Sequence, residues 1–223
     1  MSAGAWEPET KLEHRNENMP KKIFKEGKKY TFSDYFEMKN PTDEIIAELG
    51  YSFVTKNLVL PRSENIDEEL IENLRSAYYA IIPKISVNSE ASKREIMIAP
   101  ILQGVIRTID AKLNIEYAIE VDDRLSGLID YFFHAKQAVI VIEAKKGDLE
   151  KGFNQLAAEM IAVDKYEEND APNNIYGAIS IGEVWRFAIL EREIKRLVKD
   201  IHTFRFPEDL QDIFSILKGV LGS

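Results

Sequence analysis

The chain has no cysteine among its 223 residues. Neither a disulfide nor a thiolate-bound metal can therefore hold it together. Histidine is scarce: His14, His134 and His202 are the three present, and no two have zinc-motif spacing. This argues against a zinc enzyme. Any metal has to be held mainly by carboxylates, which suits Mg²⁺, Mn²⁺ or Ca²⁺. No apolar run approaches the ~20 residues of a membrane-spanning helix, and the N-terminal "MSAGAWEPETKLEHRNENMP" has no apolar signal segment. A soluble, cytoplasmic protein with no membrane partner is expected. Positive charge is in deficit, with 29 Lys and Arg against 38 Asp and Glu, a formal net charge of −9. That counts against a protein that coats nucleic acid without selection, but not against an enzyme with a local basic patch. One such patch is "KKIFKEGKK", carrying Lys21, Lys22, Lys25, Lys28 and Lys29. A solvated lysine-rich arm is its plainer reading; phosphate contact is the other.

What is present is a globular composition, 45 % hydrophobic and 30 % charged, enough for one good core and an added subdomain. Residues 1–28 are expected to be a disordered polar and basic tail. Residues 29–86 read as an extension packed on the core, built of helices and a hairpin. In it "NPTDEIIAELG" is a short helix with Asn40 as cap, Pro41 in the first turn and Gly50 as stop. "YSFVTKNLVLP" is a strand or hairpin. "NIDEELIENLRSAYYAIIP" is an amphipathic helix with Leu70, Leu74, Ala77, Tyr78 and Ile81 on one face, ended by Pro83.

Residues 87–223 carry the core. "SEASKREIMIAPILQGVIRTIDAKL" is helical, with Ile98, Ile101, Leu102, Val105, Ile109 and Leu113 as its stripe, and Pro100 should kink or divide it. "IEYAIEV" alternates as a strand with Ile115, Tyr117, Ile119 and Val121 on one face. "LSGLIDYFF" and "AVIVIEAK" are two more strands, and the short connections favour an antiparallel meander. The run from Val139 to Ile142 is apolar enough for a strand buried on both faces. "DLEKGFNQLAAEMIAVDKY" is a strongly periodic helix, "NIYGAISI" and "VWRFAILE" are strands joined around Gly182 and Glu183, and "PEDLQDIFSILKGVL" closes the chain as a helix. The expected fold is α/β, a mixed sheet flanked by helices.

Two acids interrupt these apolar strands. Asp130 follows "SGLI", and Glu143 ends "AVIVIE" with Lys145 two residues on, hence on the same side of the strand. If "HAKQ" is the turn, opposite residues have numbers summing to about 272. Asp130 then faces Ile142, and the acids point to opposite faces; a bulge or a one-residue shift brings them together. Converging carboxylates repel, and a hard divalent ion between them resolves this. Lys145 is then placed to act on a water or on a pentacoordinate phosphate. The spacing itself is uninformative, since a chain this long holds on the order of one chance match; the apolar context carries the weight. On the following helix Gly152, Gln155 and Glu159 fall on one flank, while Asn154 and Ala158 point away.

"GLIDY", "VIVIEAKKG" and "GFNQLAAEM" resemble the core of the PD-(D/E)XK nuclease superfamily. "YGAISIGEVWRF" is similar to the strand pair that follows that core in nuclease domains of type I restriction enzymes. The resemblance spans residues 87–191 and implies a restriction-endonuclease-like core. It assigns metal binding to Asp130 and Glu143, catalysis to Lys145 and a helix glutamine role to Gln155, and it favours the shifted register. Ile129 stands where the family name has proline. The family often adds an acid from its first helix; Glu90 and Glu95 both qualify by position, and "SEASKR" resembles the family's helix start, which favours Glu90. A metal-dependent nuclease using Mg²⁺ or Mn²⁺ is implied, with DNA as partner and a homodimer as the other partnership to expect. The rival expectation is a non-catalytic binding or assembly module that keeps the fold. Trp185 reads as core, His134 as an exposed turn residue, and Asp122-Asp123 as a turn.

Overall fold

The computed structural model describes residues 22–135, 138–144, 147–167 and 172–222, excluding the side chains at 138–141 and 144. Seven α-helices and eight strands are found among the described residues. The extension supplies α1 (Phe32–Glu37), α2 (Thr42–Glu48), β1 (Ser52–Lys56) and α3 (Glu68–Ile81). Next come α4 (Glu90–Lys93), a π-helical turn (Arg94–Ile98) and α5 (Ala99–Ile106). The meander β2 (Lys112–Asp122), β3 (Leu125–Ala135) and β4 (Ala138–Ala144) leads into α6 (Leu149–Tyr166). The chain finishes with β5 (Asn174–Ser180), β6 (Val184–Glu191), β7 (Arg196–Asp200), β8 (Phe204–Arg205) and α7 (Leu210–Leu221).

The strands form one open, mixed sheet in the order β1-β7-β6-β5-β4-β3-β2, with β8 beside β6. The pairs β1/β7 and β4/β5 are parallel, and the other pairs are antiparallel. Helices cover both faces. One core joins α1, α2 and α6 through Phe32, Tyr35, Ile45, Phe153 and Leu156. The other joins α5 and α7 through Ile101, Leu102, Ile213 and Phe214, with Ile71 of α3 at its margin.

The structure corrects the sequence reading in several places. The extension contains no hairpin among its described residues; β1 instead extends the sheet parallel to β7, more than a hundred residues away. The first residue of α2 is Thr42, so Pro41 rather than Asn40 takes the cap position. The face of α3 is only partly covered: Leu70, Leu74 and Tyr78 are half-buried, and Ala77 and Ile81 are exposed. The division expected at Pro100 takes the form of a π turn closed by Ala99 N–H donating to the Arg94 carbonyl, with the helix then ending at Ile106, so Leu113 belongs to β2. Two strands after β6 were not anticipated. Ile115 is exposed instead of inward-facing. The reason lies beside it: Glu116 has φ +52°, a backbone kink that separates Ile115 from Tyr117, Ile119 and Val121. Within the segment expected to be a tail, residues 1–21 lie outside the described residues, yet Phe24 is buried against Tyr30 and Tyr35.

α6 is the element that positions the site. Asp148 caps its start by accepting from Glu150 N at 3.0 Å and Lys151 N at 3.2 Å. Arg192 closes its end, donating to the Asp164 and Glu167 carbonyls at 3.2 and 2.7 Å, as a cation does well at a helix C-terminus. Asn154 and Ala158, expected to point away from that flank, are also buried because α1 and α2 cover their side; Thr42 Oγ1 donates to Asn154 Oδ1 at 2.6 Å. Phe153, Leu156, Met160, Ile161 and Val163 are all fully buried. At about 1.5–3 kcal/mol each, their burial outweighs the cost of roughly 1–3 kcal/mol for each polar group the helix carries inside.

Candidate functional site

The hairpin between β3 and β4 closes on the pair Ala135↔Ala138, and its last paired residues are Tyr131 and Ile142. Opposite residues therefore sum to 273, one more than the hairpin count assumed, because β3 continues through His134 to Ala135. Pairing ends at Tyr131↔Ile142, and the next residues in this register are Asp130 and Glu143. This is the one-residue shift on which their convergence depends. The face of Glu143 is identified by the neighbouring strand: it pairs with Ile179, which belongs to the core beneath α6. On β3 both Ile129 and Phe132 belong to that core and Tyr131 to the opposite one, so strand alternation breaks at Asp130, across from the kink at Glu116.

Glu143 and Asp130 both bear on Glu159 of α6, which Gln155 of the same helix holds. Glu143 is 1 % exposed, Gln155 4 % and Glu159 0 %, so this corner of the sheet holds charge inside the protein. Gln155 Nε2 donates to Glu159 Oε1 at 2.9 Å. Burial pushes the Glu159 carboxyl well above its usual range, and the neighbouring Glu143 adds to the shift. Ionised, the two carboxylates have no hydrogen to exchange; a proton on Glu159 supplies the bond to Glu143. The grouping of Gln155 with Glu159 was legible from the helical wheel, while the facing of Glu159 onto Glu143 was not.

Asp130 sits at the more open side of the cluster. Arg94 Nη1 donates to Asp130 Oδ1 at 2.8 Å, and Arg94 Nη2 donates to Glu116 Oε1 at 3.2 Å. Glu116 lies across from Asp130, between the pairs Ile115↔Tyr131 and Tyr117↔Ile129. Neither Arg94 nor Glu116 was singled out from sequence. The signal that could have found Arg94 is its place one turn after Glu90 on the helix that runs past the strand ends.

The other expected residues are placed as follows. Glu90 is half-buried in the first turn of α4. Glu95 is exposed and borders an apolar hollow of about 260 Å³ shared with Leu74, Tyr78 and Phe206. Lys145 lies outside the described residues, as do Lys21 and the side chains of Val139, Ile140 and Val141. Lys28 and Lys29 are exposed, 3.8 Å from Asp34 and 3.7 Å from Asp123 respectively. Trp185 is fully buried, and His134 belongs to the end of β3 instead of a turn, 3.4 Å from Glu167. Asp122 makes the β2–β3 turn, accepting from Arg124 N and Leu125 N. A hollow of about 790 Å³ at the end of α7 is lined by Arg62, Thr108 and Lys218 and includes none of the candidate residues.

In chemistry the donor set fits a hard divalent ion. The donors are oxygens, and Asp130 and Glu143 bring negative charge to one buried corner beside Glu159. Among the described residues no three acidic or histidine side chains are arranged as a metal-holding group. Mg²⁺ commonly takes one or two carboxylates and completes its shell with water, so Asp130 and Glu143 suffice in number. No helix among the described residues is long and apolar enough to cross a membrane. No protein-family model matches the chain, and no curated protein matches it.

Proposed function

We propose that this chain is a metal-dependent nuclease that hydrolyses phosphodiester bonds in DNA, and that α4–α5, the β2–β3–β4 meander, α6 and β5 are a restriction-endonuclease-like core. One observation carries the reading. Glu143 is buried with Gln155 and Glu159 of the following helix, and Asp130 of the adjacent strand bears on the same Glu159. The order of the elements, a meander followed by a helix and a strand parallel to β4, supports it as well.

The chain's own residues divide the work. Asp130 and Glu143 hold Mg²⁺ or Mn²⁺, with Glu90 as a further acid from the helix. Gln155 braces the buried side of the cluster through Glu159. Lys145 acts on the attacking water or on the charge that develops at phosphorus. The bound ion would supply a more acidic water and neutralise phosphate charge. The test is incubation with supercoiled plasmid, linear duplex and single-stranded DNA in Mg²⁺ or Mn²⁺, with an EDTA control and Asp130→Asn alongside. Cleavage is expected with the metals, none in EDTA, and a loss of at least about a hundredfold in Asp130→Asn. Nicked or linearised plasmid would identify endonucleolytic attack.

A second reading is a non-catalytic module that keeps the fold. The ion pair between Arg94 and Asp130 favours it, since an internal cation already answers part of the negative charge. An absence of cleavage on all three substrates, together with no divalent-ion binding, would decide for the module.

A further inference from the structure

Arg94 holds two carboxylates at once, Asp130 at 2.8 Å and Glu116 at 3.2 Å. Two backbone irregularities converge on this bridge. Arg94 opens the π-helical turn, and Glu116 adopts φ +52°, a conformation unfavourable for a residue with a side chain. The bridge is not locked into the core. The Glu116 side chain is 57 % exposed and that of Arg94 23 %, so the outer half of the clamp is held weakly against solvent. Nor does it settle the charge: one guanidinium stands against the two carboxylates of Asp130 and Glu116.

We propose that Arg94 is an exchangeable counter-cation. It neutralises Asp130 while no metal is bound and turns to a phosphate of the nucleic-acid backbone once a divalent ion takes Asp130, Glu116 being the rest position from which it is released. The proposal rests on the metal-dependent nuclease reading. Its physical basis is competition. A divalent ion on Asp130 repels a guanidinium held a few ångströms away, and the same planar fork that grips a carboxylate fits a phosphate with two parallel N–H bonds. Metal binding and nucleic-acid binding would then be coupled through one side chain, each strengthening the other.

The experiment combines Mn²⁺ titration calorimetry with binding of a short fluorescent duplex, in EDTA and in Ca²⁺, for wild type, Asp130→Asn, Arg94→Gln and Glu116→Gln, with thermal midpoints to confirm folding. Arg94→Gln should bind Mn²⁺ about tenfold more tightly, its competitor being gone. Its duplex affinity should fall several-fold in Ca²⁺, with a salt slope smaller by about 0.9, and stay unchanged in EDTA. Glu116→Gln should tighten Mn²⁺ binding by less and leave duplex affinity in Ca²⁺ as it was. A Mn²⁺ site lost in Asp130→Asn but unmoved by Arg94→Gln overturns the exchange and leaves the nuclease reading standing. Equal loss of duplex binding with and without Ca²⁺ also overturns it, since Arg94 would then be a fixed phosphate contact. No Mn²⁺ site in wild type defeats both. Should Arg94→Gln not fold, unchanged Mn²⁺ affinity in Glu116→Gln overturns the proposal by itself.

Discussion

Glu159 is buried against Glu143, and burial first, then that neighbour, favours its protonated form. The consequence for stability has a definite sign. A carboxyl whose pKa is raised on folding binds its proton more tightly in the folded state. Its contribution is complete below the ordinary value of 4.5 and is lost as pH rises through the raised value. Glutamine has the shape of the protonated acid and can still accept from Gln155. In metal-free protein, Glu159→Gln should therefore match wild type near or below pH 4.5 and become the more stable of the two as pH rises. Thermal midpoints across a pH series in EDTA check this; a difference independent of pH would show that Glu159 does not titrate against Glu143. Arg94 and Glu159 add to the site what the linear pattern of Asp130, Glu143 and Lys145 left out. Their roles depend on which side chains from distant segments end up within a few ångströms, and sequence periodicity reports only the face on which a residue lies.

The strand that carries Asp130 is held against α1 by a close backbone approach. Gly127 has φ +142°, and a Cβ there would lie 2.9 Å from Phe32 Cδ2 and 3.2 Å from Phe32 N. Both the conformation and the space call for glycine. Gly127→Ala should cost about 1–3 kcal/mol, read as a lower urea midpoint with unchanged slope. A variant as stable as wild type would mean that α1 does not rest on β3 in solution. Elements with strong local periodicity were legible: α6 runs from Leu149 to Tyr166 as its apolar stripe implies, and the meander follows from its short turns. Three features were not. β7 is five residues long, "RLVKD", and charged residues flank its single apolar pair on both sides. The β1/β7 pairing joins segments with no local signal linking them. The kink at Glu116 turns Ile115 outward, and nothing in "NIEYAI" marks it, since a left-handed glutamate is set by its surroundings. The register of β3 and β4 was open by one residue, and that residue decides whether the two acids meet.

In the molecule as a whole, the sheet places its parallel pair β4/β5 near the middle and covers both faces with helices, so the carboxylate cluster lies at the end of central strands beside α6. The extension supplies one edge of the sheet, β1, and the first strand of the meander, β2, forms the other. The net charge of −9 sets a condition on any nucleic-acid partner: approach has to be paid by local cations and by a bound metal, not by the overall field. The proposed function therefore rests on one pair of side chains, Asp130 and Glu143. The most direct test is titration of metal-free protein with Mn²⁺ for wild type and Glu143→Gln. The account predicts one weak site in wild type that is lost in Glu143→Gln, with the variant still folded. Equal binding by the two proteins, or no binding by wild type, would contradict it.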